Sequence, residues 1–207
     1  MKTTICLIRH GQTAVNNSKR IQGREDHLLN DTGRLQALKT GLYLKENDKH
    51  WDYIYSSPLS RAYETASIIK EQIGYTGEIV KDASFIERDF GDAEGMPITK
   101  EIFEYIIRDD VKNLEKSYEI QKRVSDGVLK LCKKHPGKKI LIVAHSHAIK
   151  GLLTHLDKNR TFLDTLLNCS MESVKPFSMS KPLQETIDFS TLKELIRSDA
   201  CDPIIAK

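Results

Sequence analysis

Residues 139–156, KILIVAHSHAIKGLLTHL, change character at their midpoint. Ile140-Leu141-Ile142-Val143-Ala144 is a continuous apolar run bounded by polar residues, the pattern of a strand buried on both faces. Ile149, Leu152, Leu153 and Leu156 then fall on one face of an amphipathic helix. A tight turn at His145–His147 joins the two. A strand with no solvent face, followed at once by a helix, is the unit of a parallel sheet covered by helices.

The same alternation extends toward the N-terminus. Residues 3–9, TTICLIR, read as a short β-branched strand, and a loop runs from there to about residue 30. Asn30, Asp31 and Thr32 offer N-caps for a helix whose apolar face is marked by Leu35, Leu38 and Leu42 and which ends near Asn47. Tyr53-Ile54-Tyr55 form a second strand. Ser57-Pro58 reads as N-cap and N1 of a helix along which Leu59, Ala62, Ala66, Ile69 and Ile73 trace one face. A weak strand at Glu78–Lys81 precedes the turn-rich segment Phe85–Gly95, and helices are expected at about 98–109 and 115–134. Beyond residue 156 the pattern suggests strands near Glu172–Met179 and Glu185–Phe189 and a helix at Thr191–Arg197. The expected fold class is α/β, with three layers and a largely parallel central sheet carrying helices on both faces.

Composition narrows the function. Apolar residues supply 39% of the 207, enough for one core, so residues 1–207 are read as a single domain. The 32 basic and 29 acidic side chains leave a formal charge of +3, too balanced for a broad nucleic-acid or membrane surface. Any anion site must be local. The apolar run Ile5–Ile8 is shorter than the roughly 7–15 residues of a signal peptide, and no window approaches the roughly 20 of a membrane span. Cys6, Cys132, Cys169 and Cys201 are widely spaced and form no CxxC pair. A soluble, reduced and cytoplasmic setting is expected.

Three points fall at the carboxyl end of an expected strand: Arg9-His10-Gly11, Ser56-Ser57 leading to Arg61, and Ala144-His145. Ligands of open α/β sheets bind outside those ends. Taken singly, an arginine after a strand is as a rule a solvated cap or half of a surface ion pair. Arginine and histidine at all three points imply positive charge converging on one anion, for which phosphate is the natural candidate. Gly11 would let the backbone approach a ligand or take positive φ. A neutral His10 imidazole can attack phosphorus if a partner holds its other nitrogen as N–H. Arg9, Arg61 and a protonated His145 would stabilise charge on the transferring group. The leaving alkoxide needs a proton, and Glu87, flanked by apolar residues on a loop, would have the raised pKa of a general acid. An Arg88 ion pair is its ordinary alternative, and Asp89 and Glu94 are the nearest competitors.

At these residues the chain resembles the histidine phosphatase superfamily, the phosphoglycerate-mutase-like group. Four blocks occur in order between residues 9 and 145. The first is Arg9-His10-Gly11-Gln12-Thr13 with Asn16, Arg20, Gln22-Gly23, Asp26, Leu29, Gly33 and Gln36-Ala37. The second is Ser56-Ser57-Pro58-Leu59-Ser60-Arg61-Ala62-Tyr63-Glu64-Thr65-Ala66. The third is Glu87 through Gly91 to Glu94-Gly95, and the fourth Val143-Ala144-His145. The resemblance implies that His10 is the phosphorylated nucleophile, that Arg9, Arg61 and His145 form the phosphate pocket, and that Glu87 is the proton donor. Asn16, Gln22, Gly23 and Ser146 would lie at the rim or bind substrate, with a small helical cap inserted around residues 96–125 setting specificity. It further implies no metal and no organic cofactor, and a small phosphorylated metabolite as the partner, with neither nucleic acid nor membrane.

Departures from the family pattern matter. His145-Ser146-His147 stands where glycine often follows the second histidine, so that His147 narrows the pocket or adds charge. Leu28 and Asn30 replace the usual proline and threonine. The stretch from Gly95 to Ile140 lacks the long basic insertion of mutases, which favours hydrolysis, whereas Glu87-Arg88 followed by Phe90-Gly91 is more mutase-like. Phosphoglycerate mutase-type transfer therefore stands as the alternative. Two readings from other classes are metal-dependent hydrolysis using His145 and His147 with His10, His27 or His155, and a silent phospholigand-binding module. The latter would need neither a nucleophile nor a proton donor.

Overall fold

The computed structural model describes residues 3–177. Its two central strands, β1 (Thr3–Arg9) and β4 (Lys139–Ala144), run parallel, with Ile5 beside Ile140 and Arg9 beside Ala144. β2 (Tyr53–Ser56) lies parallel on the far side of β4, β3 (Ile79–Lys81) parallel on the outside of β2, and β5 (Met171–Phe177) antiparallel along β1. The order is β3-β2-β4-β1-β5.

Alternation of side chains along β1 and β4 makes two cores. Ile5, Leu7, Ile140 and Ile142 pack with α5 (Ser117–Lys134) and α6 (Ser146–Leu156) through Ile120, Val124, Val128, Ile149 and Leu152. Cys6, Ile8, Leu141 and Val143 pack on the other face with α2 (Asp31–Asn47) and α3 (Ser60–Ile73) through Leu44, Ala62, Ala66 and Ile69. Each fully buried aliphatic side chain contributes about 1.5–3 kcal/mol. This accounts for the unbroken apolar runs in both strands. A third, smaller cluster joins Ile21, Phe90, Ala93, Ile106 and Leu114, and it gathers the loop after β1, the segment after β3 and α4 (Lys100–Ile107).

Four local expectations are corrected. α2 exists, capped by Asn30, whose side chain accepts from the Gly33 N–H at 2.8 Å, but its buried stripe is Gly33, Ala37, Thr40, Gly41 and Leu44. Leu35 is 49% exposed. The helix lies so close to α3 that a Cβ on Gly41 would stand 2.8 Å from Gln72 Cβ, so small residues face inward at that contact and Leu44 is the one leucine of the helix in the buried stripe. α3 begins at Ser60 rather than at Pro58, with Leu59 at the N-cap in extended backbone. Its first N–H is capped from outside by Asp26, whose carboxylate accepts from the Ser60 N–H and hydroxyl, both at 2.7 Å. α6 starts immediately at Ser146, so His147 belongs to its first turn and not to a connecting turn. The loop after β1 contains the short α1 (Ala14–Asn17), capped by Thr13, and 3-10 turns occupy Ala83–Phe85 and Gly91–Ala93. The expected strand at Glu185–Phe189 and helix at Thr191–Arg197 lie outside the described residues. Among the described residues no helix is long and apolar enough to cross a membrane.

Candidate active site

Parallel pairing puts the carboxyl ends of β1, β2 and β4 on one edge of the sheet, and the next residues are His10, Ser57 and His145. The imidazoles of His10 and His145 meet edge to face with ring centroids 5.0 Å apart. The nitrogen partner that sequence left open is the neighbouring peptide: Nδ1 of His10 lies 2.7 Å from the Gly11 carbonyl oxygen and donates to it. Nε2 therefore carries the lone pair. Burial, reinforced by Arg61 and Arg9, holds His10 well below the usual histidine range, so the ring is neutral at pH 7.

Gly11 is required for a different reason from the one expected. A Cβ there would stand 2.4 Å from the Gly33 carbonyl oxygen, so the close approach is to the start of α2. Its N–H donates to Thr65 Oγ1 at 3.0 Å, and that hydroxyl donates to the Arg61 carbonyl at 2.7 Å. The turn after β1 is thus tied to the first turns of α3.

Arg61 is fully buried. Its Nη1 and Nη2 donate to the carbonyls of Glu25 and Gly23 at 2.8 and 2.7 Å, and its Nε donates to His10 Nε2 at 3.3 Å. Arg9 is anchored by a bond from Nη1 to the Leu166 carbonyl, while its buried Nε has no partner among the described residues.

Glu87 is 3% exposed and sits at the amino end of α6. Oε1 accepts from the N–H groups of Arg88 and Ala148 at 2.9 and 3.0 Å, and Oε2 from that of His147 at 3.2 Å. Burial raises its pKa, against the pull of those donors and of Arg61. The other charged groups of this segment are engaged elsewhere. Arg88 pairs with Asp109 instead, Asp89 bonds Arg24 at the surface, and Glu94 accepts from the N–H groups of Gly23 and Arg24.

The charge of His145 depends on its protonation. Burial, then Arg61, His10, Arg9 and Arg123, push its pKa well below the usual range, which favours the neutral ring. Its Nε2 lies 2.7 Å from Ser57 Oγ, and its Nδ1 has no partner among the described residues.

The histidine phosphatase superfamily (branch 1) sequence model matches residues 5–180, which include all of these groups. The chain belongs to that superfamily. It is 41% identical over 176 residues to the uncharacterised phosphatase PhoE of Bacillus subtilis, covering 84% of this chain and 88% of the relative. A phosphoserine phosphatase mutant from Entamoeba histolytica, solved in complex with phosphoserine, superimposes with a TM-score of 0.71 at 27% identity, over 83% of this chain and 89% of that one. A phosphoglycerate mutase from Bacillus anthracis superimposes with a TM-score of 0.74 at 25% identity, over 84% and 88%. The superfamily thus includes relatives named for both hydrolysis and transfer.

In this histidine phosphatase a cavity of about 160 Å³ opens over His10 and Glu87. Its polar lining includes Arg9, Asn16, Arg20, Gln22, Ser146 and Lys150. Its apolar lining is Ile21, Phe90, Ile98, Phe103 and Ile106. Asn16 and Gln22 have their side-chain oxygens engaged by Thr13, whose N–H and hydroxyl donate at 3.0 and 2.7 Å, leaving buried amide NH₂ groups without partners among the described residues. Gly23 lies behind the site, where its carbonyl accepts from Arg61. His147 lines the cavity between Phe90 and Phe162, with ring centroids 4.9 and 5.3 Å away, and burial keeps it neutral. It narrows the pocket and adds no charge.

Two groups were not anticipated. Ser57 has no site role in the sequence beyond its place at a strand end and as a cap, and nothing local shows that its hydroxyl turns to His145. Lys150 lies one helical turn beyond His147 and is 7% exposed, its Nζ donating to the Phe162 carbonyl at 2.9 Å. The available signal was a lysine interrupting the apolar face of α6 beside Ile149. Among the described residues no three His, Cys, Asp or Glu side chains gather as metal ligands.

Proposed function

We propose that the protein hydrolyses small phosphomonoesters through a phosphohistidine on His10. The observation that carries this reading is the fixed tautomer of His10, with Nδ1–H on the Gly11 carbonyl and the Nε2 lone pair beside Arg61. Nε2 attacks phosphorus and the ester oxygen departs with a proton from Glu87. Water then attacks the phosphohistidine, giving its proton to the Glu87 carboxylate, and inorganic phosphate and neutral His10 are regenerated. Arg9, Arg61 and His145 surround the phosphoryl oxygens, where oriented donors act most strongly on developing charge.

Glu87 suits both halves of the cycle. Burial favours the protonated acid, and once the proton is given up the charge rests on the Arg88 N–H and on two backbone N–H groups, of His147 and Ala148, in the first turn of α6. The polar residues that line the cavity, Asn16, Gln22, Ser146 and Lys150, support an oxygen-rich substrate such as phosphoserine or a phosphoglycerate. The apolar residues of the segment around 96–125 act as a cap over its carbon skeleton. We place the enzyme in the cytoplasm, as the spacing of its cysteines suggests.

The test is incubation with phosphoserine and 3-phosphoglycerate, following inorganic phosphate and 2-phosphoglycerate. Phosphate release, abolished in His10→Ala, is expected. Accumulation of 2-phosphoglycerate without phosphate would establish the mutase instead, and full activity in His10→Ala would end the phosphohistidine mechanism.

A further inference from the structure

Ser57 and His145 are both completely buried, and Ser57 Oγ lies 2.7 Å from His145 Nε2. The same oxygen accepts from the Leu59 N–H at 3.3 Å, and the Ser57 carbonyl is held by the Ser56 hydroxyl at 2.8 Å. A serine hydroxyl has one proton to give. Were the imidazole proton on Nε2, two N–H groups would point at Ser57 Oγ while its own proton had no acceptor among the described residues, and a buried bond left unmade is costly. With the proton on Nδ1, every one of these groups is satisfied except Nδ1 itself.

We propose that the Ser57 hydroxyl donates to His145 Nε2 and so fixes the imidazole with its proton on Nδ1, which makes His145 a neutral N–H donor to the transferring phosphoryl group. The second half rests on reading the site as a phosphoryl pocket. Ser57 is then a positioning residue, acting on the substrate through His145. A neutral donor also suits its surroundings, since the groups facing the ring are His10 and Arg9 from the end of β1, Arg61 from α3 and Arg123 from α5, all opposed to a second positive charge.

The experiment is ¹⁵N-detected NMR of the histidine rings in the full chain without ligand, with His145 assigned by its loss in His145→Gln. The neutral Nδ1–H tautomer is expected, unchanged over about pH 6–8, the range in which an unperturbed histidine would titrate. An Nε2–H tautomer, or a doubly protonated ring, overturns the proposal. In Ser57→Ala the tautomer should mix and vanadate affinity should fall about tenfold or more, with both restored in Ser57→Thr. Retention of tautomer and affinity in Ser57→Ala also overturns it. The tautomer is read without substrate, so a protein that showed it yet hydrolysed no ester would sink the phosphatase reading while leaving this hydrogen bond standing.

Discussion

Arg61 Nε donates to His10 Nε2 at 3.3 Å, so the buried guanidinium and the lone pair that would attack phosphorus are already in contact. One N–H on each of Nη1 and Nη2 is held by the carbonyls of Glu25 and Gly23, which leaves a second N–H on each nitrogen. The loop after β1 and the start of α3 thus aim one charge at one point. Pre-aimed charge of this kind costs no reorganisation during the reaction.

Replacing Arg61 should therefore be severe and resistant to conservative rescue. Arg61→Ala is expected to lower kcat/KM by about 10²–10³, and Arg61→Lys to recover little, because an ammonium cannot span both carbonyls and His10. Both variants leave buried carbonyls unpaired, so their melting temperatures should fall as well. Steady-state kinetics and calorimetry check the two claims separately.

The buried imidazoles set a pH dependence of stability. His10, His145 and His147 all have folded pKa values well below the usual 6.5, so on acidification the unfolded chain takes up protons that the folded one refuses. Their combined effect is a loss of stability that begins as pH falls through about 6.5. Glu87 acts in the opposite sense. Its raised pKa gives stability that is present at low pH and lost as pH rises through the folded value. With these three imidazoles and His135, whose pKa burial also lowers, against the Glu87 carboxyl, the melting temperature should drop steadily from neutral pH toward 5. A flat profile would contradict the neutral, buried state assigned to these histidines.

Much of this arrangement was legible in sequence because burial on both faces leaves an unmistakable signature. Ile140–Ala144 read as a strand buried on both faces and residues 3–9 as a short β-branched strand, and their ends located His145 and His10. The helix α2 was legible too, but its inward face was not, since helix packing at Gly41 selects small residues and leaves Leu35 outside. The roles of Ser57 and Lys150 depend on which way a side chain turns between distant segments. That is a tertiary fact, without local periodicity to reveal it.

Gly11→Ala tests the contact between β1 and α2. The new methyl would stand 2.4 Å from the Gly33 carbonyl, backbone against backbone, so no side chain can move aside. A loss of about 1–3 kcal/mol in stability is expected from such overpacking. Activity should fall further than stability explains, because the carbonyl that orients His10 belongs to this residue. Denaturant titration together with kcat at a temperature where the variant stays folded separates the two losses.

Glu87→Gln removes the transferable proton while keeping the shape. Hydrolysis of alkyl phosphates, whose leaving oxygen must be protonated, should slow by about 10²–10⁴. An activated aryl phosphate leaves without help and should lose far less in its phosphorylation step. Equal losses on both substrates would remove Glu87 from the role of acid. Burst kinetics with the aryl ester would show whether phosphoenzyme breakdown, in which Glu87 accepts a proton from water, has become limiting.

Lys150 offers the most specific test of substrate choice. Its ammonium is buried in the cavity wall, and burial, with Arg9 adding to it, brings its pKa down to about 8. The charge is therefore present at neutral pH and disappears as pH rises through that value. A second anionic group on the substrate, such as the carboxylate of phosphoserine, would bind while Lys150 is charged and lose that contact on deprotonation. KM for phosphoserine should accordingly climb above about pH 8 while KM for a simple aryl phosphate does not. Lys150→Met keeps an unbranched apolar stem and removes the charge. It should raise KM for phosphoserine at pH 7 to the wild-type value at high pH, abolish the pH dependence, and leave the aryl ester unaffected. If both esters lost equally, Lys150 would be holding the Phe162 loop in place and contributing nothing to recognition.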